Sequence, residues 1–156
     1  MTEPTKWREG VTVVRAMSLD AQLHAPGSTG RATAVNFAGT GGERTWIGRV
    51  SLKPNAKTGA HHHGCHEVMV YVVSGRTEIR WGDRLEFATN VDVGDFVYFS
   101  PYVPHQEQNL SDSETVEFLV VRSDDQKIVV SLDVNPVERP EKVVFASECL
   151  TGMALT

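Results

Sequence analysis

Apolar and polar positions alternate over short runs through most of this chain, and turn formers separate the runs. Segments rich in Val, Ile, Thr and aromatic residues recur at 11–16 (VTVVRA), 44–52 (RTWIGRVSL), 67–73 (EVMVYVV), 76–81 (RTEIRW) and 84–88 (RLEFA). They continue at 95–100 (DFVYFS), 105–109 (HQEQN), 114–123 (ETVEFLVVRS) and 127–134 (KIVVSLDV). A period of two is the mark of a strand with one buried face, and Ser74-Gly75, Gly82-Asp83, Gly94-Asp95 and Ser123-Asp124-Asp125 supply the turns. Helix-length periodicity is nearly absent, so the pattern predicts an all-β closed structure, a sandwich or barrel of short strands. The stretches 24–44, rich in Gly, Thr and Ala, and 135–142, with two prolines, read as loops or arms. This divides the chain into an N-terminal strand and irregular arm (1–44), a barrel core (45–134) and a C-terminal extension packing on it (135–156).

With 156 residues the chain is the size of one domain. Fifteen basic against twenty acidic side chains give a net charge of −5, and no basic cluster interrupts the balance, so a nucleic-acid partner is not expected. The polar N-terminus lacks the apolar centre of a secretory signal, and no segment approaches the roughly 20 apolar residues that span a bilayer. A cytoplasmic protein with no membrane association is the expectation. Its two cysteines, Cys65 and Cys149, are expected as free thiols.

The chemistry is concentrated in HHHGCHE, residues 61–67, which holds four of the six histidines. If the segment stays extended, His61, His63 and Glu67 share one face and His62 and His66 the other, with Gly64 able to bend the chain between them. His105, behind the stiff SPYVP, starts a later strand and offers a third imidazole. Two imidazoles, a carboxylate and a further imidazole suit one divalent ion of Fe, Mn, Ni, Co or Zn. On this parity Met69, Tyr71 and Val73 would line the cavity, making Tyr71 a candidate donor to substrate. Glu107, in phase with His105, is the spare carboxylate for proton transfer. Cys65 reads as a small buried thiol, and Arg49 and Arg76 as either anchors for an anionic substrate or members of surface ion pairs.

These residues resemble the two motifs of the cupin superfamily. TGAHHHGCHEVMVYVVSG, with Gly59, His61, His63, Glu67 and Gly75, is similar to the first, although seven residues rather than six separate Glu67 from Gly75. An alignment anchored instead on YVVSG sets Glu67 one place early and brings His62 or His66 into competition. GDFVYFSPYVPHQEQN keeps Gly94, His105 and Asn109 at the spacing of the second, with Ser100 and Tyr102 in place of its proline and glycine. The resemblance implies a double-stranded β-helix, or jelly-roll barrel, holding one metal through His61, His63, Glu67 and His105, commonly as a homodimer. It also implies a small-molecule substrate or ligand. Acireductone dioxygenases and monocupin quercetinases have a similar pattern, which makes a dioxygenase-type oxidoreductase the first expectation. A redox-neutral isomerase or lyase and a non-catalytic binding module are the alternatives.

Overall fold

The computed structural model describes residues 7–26, 30–123 and 128–145. Eleven strands and two helices are described, and the strands form two sheets. The first sheet joins β1 (Arg31–Val35), β2 (Trp46–Leu52), β9 (Val116–Arg122), β4 (Val68–Ser74) and β7 (Phe96–Phe99), in that order. The second runs β10 (Val130–Ser131), β3 (His61–His62), β8 (His105–Asn109), β5 (Thr77–Trp81), β6 (Phe87–Val91) and β11 (Glu141–Lys142). This is the expected all-β jelly roll. Its ladders are antiparallel except for the short β11–β6 pair.

The core follows from parity. Val68, Val70 and Val72 on β4 meet Val116 and Phe118 on β9, with Ile79, Val91 and Phe99 closing the cluster. Burying a branched side chain of this kind contributes about 1.5–3 kcal/mol, so this row is what drives the two sheets together. Gly75, at φ 79°, makes the turn from β4 to β5, where a Cβ would press on Val116 and the Thr115 carbonyl. Asn109 closes the other end. Its amide donates to the carbonyls of Leu52, Lys53 and Glu114 while its oxygen accepts from Ser111 N–H, tying the end of β2 to the β8–β9 turn.

Gly48 serves a different purpose. The indole of Trp46 occupies the space its side chain would take, and a Cβ there would overlap both that ring and the Ala32 carbonyl. Gly48→Ala should therefore lower stability by about 1–3 kcal/mol, the usual cost of overpacking, read as a fall in the urea midpoint.

The alternation misleads at both ends. Residues 11–15 are not a strand and Ala16–His24 is a helix, α1. Val11 and Val13 are more than half exposed, with no partner strand to bury them. α1 buries no residue and is held by polar contacts: Asp20 pairs with Arg49 at 2.9 Å, and the Gln22 amide bonds both Thr33 N–H and Thr33 C=O. Gln22 thus covers part of the free edge of β1. The arm expected at 24–44 contains β1 and the short helix α2 (Phe37–Thr40). Small residues hid β1, and pairing with β2 creates it. The strand expected at 84–88 begins at Phe87, because Leu85 is buried in a turn at φ 49°. Of 127–134 only Val130–Ser131 pairs, and residues 124–127, like Cys149, lie outside the described residues.

Glu78, 4% exposed, binds Arg80 at 2.6 Å and Lys142, which ties the edge strand β11 across β6 to β5. No described helix is long and apolar enough to cross a membrane.

Candidate metal centre

Three imidazoles converge inside the barrel. His61 on β3 and His105 on β8 are direct cross-strand partners, and His63 follows from the end of β3. All three are buried, and one ring nitrogen from each lies within 4.8 Å of the others. Ring centroids are 4.4 to 5.2 Å apart. His105 is further fixed by stacking on Phe99, at 4.1 Å and 23°.

The outward nitrogens settle the tautomers. His61 Nδ1 lies 2.8 Å from the Gly59 carbonyl, His63 Nδ1 2.9 Å from that of Ile128, and His105 Nδ1 2.9 Å from that of Val103. A carbonyl only accepts, so each Nδ1 carries the proton and each Nε2 turns a lone pair toward the middle. The His105 Nε2 atom is buried with no hydrogen-bond partner, a costly state for a polar atom unless something electron-poor meets it. Burial pushes His63 down to about 4 and lowers His105 as well, so both rings are neutral at physiological pH. Neutral rings with their far nitrogens fixed by carbonyls are what a divalent ion requires.

A carboxylate stands beside them, from β8. Glu107 Oε1 is 3.8 Å from His105 Nε2, and Oε2 accepts from the Thr58 hydroxyl at 2.9 Å. Thr58 N–H also donates to the Glu107 carbonyl, and the Thr58 hydroxyl accepts from Glu107 N–H, so the two residues are fastened through both backbone and side chain. Only 14% of it is exposed. Burial opposes its charge, yet His105, His61 and the Thr58 hydroxyl outweigh that cost, and the pKa of Glu107 lies below the usual carboxylate range.

Glu67, expected in the cluster, is elsewhere. It is exposed on the outer face, where its carboxylate accepts from the Tyr98 hydroxyl at 2.7 Å. The cause is Gly64. At φ 59° it forms a tight turn closed by His66 N–H on the His63 carbonyl, which shifts the parity of everything after it by one. Val68, separated from Gly75 by six residues, takes the inward position, followed by Val70 and Val72. Met69 and Val73 are correspondingly exposed, and Tyr71 packs on Phe96 on the outer surface at 4.7 Å, away from the imidazoles. The same turn buries His66 and exposes Cys65, each the reverse of what parity predicted. His62 is half-buried, accepting from Gly64 N–H and packing on Tyr102.

The cluster opens on a cavity of about 40 Å³, whose walls include His61, His63, Glu107, Trp46 and Arg122. It holds a few water-sized molecules. An open groove of about 500 Å³ lies beside it and shares Arg31, Thr58 and His61 with it. Arg49 and Arg76 take no part. Arg49 pairs with Asp20 and Glu117, and Arg76 with Asp92 at 2.9 Å.

Sequence reasoning missed Arg122. It occupies the inward register that Val116, Phe118 and Val120 establish on β9, and it sits between Trp46 on β2 and Val68 on β4. An arginine closing an alternating apolar row was the available signal.

Residues 48–122 match the family model for the cupin domain, and with the jelly-roll neighbours below this places the barrel in the cupin superfamily. A cupin 2 domain-containing protein from Halorhodospira halophila is 26% identical, with a TM-score of 0.58 over 66% of this chain and 68% of that one. The polyketide cyclase RemF from Streptomyces resistomycificus gives a TM-score of 0.63 at 20% identity, covering 83% and 89% of the two chains. Oxalate decarboxylase from Bacillus subtilis gives 0.57 at 25% identity over 65% of this chain, which spans 27% of that protein. No curated protein matches the sequence.

Proposed function

We propose that this protein is a metal-dependent enzyme acting on a small organic molecule, with His61, His63 and His105 holding one divalent transition metal. The observation that carries the reading is the set of three buried, carbonyl-anchored imidazoles whose free nitrogens converge beside a cavity that His61 and His63 line. Glu67 is left out of the ligand set, and Glu107 stands in its place as the carboxylate beside the imidazoles. A bound ion of this kind supplies Lewis acidity toward a substrate oxygen and leaves the choice of reaction to the groups around it.

Those groups favour proton transfer. Glu107 is ionised, fixed by Thr58 through one oxygen and part of the cavity wall, the arrangement a general base needs. Val68, Val70, Phe118 and Val120 keep the rest of the wall apolar and restrict water. A redox-neutral lyase or isomerase step therefore fits better than the dioxygenase reading. The similarity to an oxalate decarboxylase, named for a bond cleavage, points the same way. The dioxygenase reading rests on the open positions that three protein ligands leave on an iron ion.

The two separate cleanly. Protein stripped and reloaded with Zn(II) should turn over a panel of small acids and carbonyl compounds without oxygen. Turnover only after Fe(II) loading, with stoichiometric oxygen uptake on an electrode, would establish the oxidoreductase instead. The homodimer implied by the superfamily stays with this proposal, supported by the exposed Met69, Val73 and Phe96 on the outer face of the first sheet. A monomer mass in light scattering at micromolar concentration would remove it.

A further inference from the structure

Arg122 is 4% exposed, and its Nε and Nη1 atoms are buried without a hydrogen-bond partner. The guanidinium lies 4.1 Å over the Trp46 ring, a stack that fixes its plane but satisfies none of its N–H groups, which project from the edge. Among the described residues no carboxylate pairs with it, and the charge of Arg31 repels it. Burial and then Arg31 push Arg122 down to about 10, which still leaves it protonated at neutral pH. An unpaired buried cation is a standing cost, since a hydrophobic residue in its place would pack at least as well. The feature that would make it useful is what it faces: the same cavity as His61, His63 and Glu107, with Arg31 shared between that cavity and the outer groove and Lys57 along the groove.

We infer that Arg122 is the anchor for an anionic group of the ligand, so that this cavity takes a small organic anion, in the first instance a carboxylate. The cavity is then two-ended. A carboxylate completes the guanidinium on the Trp46 side, and the remainder of the molecule reaches the imidazoles and Glu107. The small volume restricts the ligand to a few heavy atoms, and Arg31 and Lys57 provide a positive approach on a chain whose net charge is −5. This names a substrate class for the enzyme proposed above and rests on that reading for the word substrate, but the binding itself does not require the metal.

The test is therefore run first on metal-stripped full-length protein, with acetate and pyruvate as probes and acetamide as the neutral counterpart of acetate, followed by calorimetry or ligand-detected NMR. Wild-type protein should bind both anions and not acetamide. Arg122→Met should weaken anion binding about tenfold or more, as expected for losing charge-assisted hydrogen bonds. Arg122→Lys should retain part of the affinity. Arg122→Met should also melt at or above the wild-type temperature and take up as much Zn(II) as wild type, because an unpaired charge has been removed and no ligand lost. Acetamide binding as tightly as acetate, anion affinity within twofold of wild type in Arg122→Met, or unfolding of that variant would each overturn the inference. If wild type binds anions through Arg122 yet takes up no Zn(II), the metal reading fails and the anion site stands.

Discussion

Replacing His105 by alanine should empty the metal centre. Elemental analysis of untagged protein is expected to give about one transition-metal ion per chain for the wild type and close to none for His105→Ala or His63→Ala. Structural zinc sites gain about 10–16 kcal/mol from four ligands, so one imidazole lost weakens binding on the order of a hundredfold or more. His62→Ala is the internal control, since His62 is half-buried and its ring meets Gly64 N–H and Tyr102 outside the cluster. It should keep a full complement of metal. His105 also stacks on Phe99, so alanine leaves a cavity and lowers the melting temperature of the metal-free protein as well. Comparing metal-free variants separates that packing loss from the loss of the ion. Retention of metal by His63→Ala, with loss in His62→Ala, would contradict the geometry.

The barrel was legible because its inner rows are regular. The strand at 105–109 has the expected limits, and those at 44–52, 67–73, 76–81, 95–100 and 114–123 differ only at their ends. The three imidazoles were legible too, since His61 and His63 precede the turn and His105 follows a proline-stiffened bend. Failure begins at a single residue. Gly64 takes a positive φ that glycine adopts without penalty, and one turn residue reverses the facing of Glu67, Met69, Tyr71 and Val73 together. The seven residues between Glu67 and Gly75 recorded that shift, with Val68 at the place that leaves six before the glycine. Arg122 failed to stand out for another reason. Strand periodicity ranks positions by hydropathy, and a charge at the end of an apolar row reads as the strand emerging into solvent. Only the pairing of β9 between β2 and β4 shows that the row is still indoors.

Exchanging Glu107 for glutamine should abolish turnover where the same change at Glu67 does not. Both are glutamates near the histidine run, and amide replacement keeps volume and removes only charge and basicity. At Glu67 it alters an exposed hydrogen bond with Tyr98, a change of less than about 1 kcal/mol in stability with metal content unaltered. Glu107 differs in every respect that counts. Its Oε2 is engaged by Thr58, its Oε1 faces His105 Nε2, and it lines the cavity. As the group that moves the proton, its loss should cost on the order of 10²–10⁴ in kcat while the folded state survives. Metal affinity distinguishes its two ways of acting. A drop of about tenfold to a hundredfold in affinity, without loss of the site, marks a carboxylate that orients and charges the imidazole ligands. Unchanged affinity with lost turnover marks a base alone. Full turnover in Glu107→Gln together with metal loss in Glu67→Gln would return the carboxylate to the first motif, and with it the parity that Gly64 reverses.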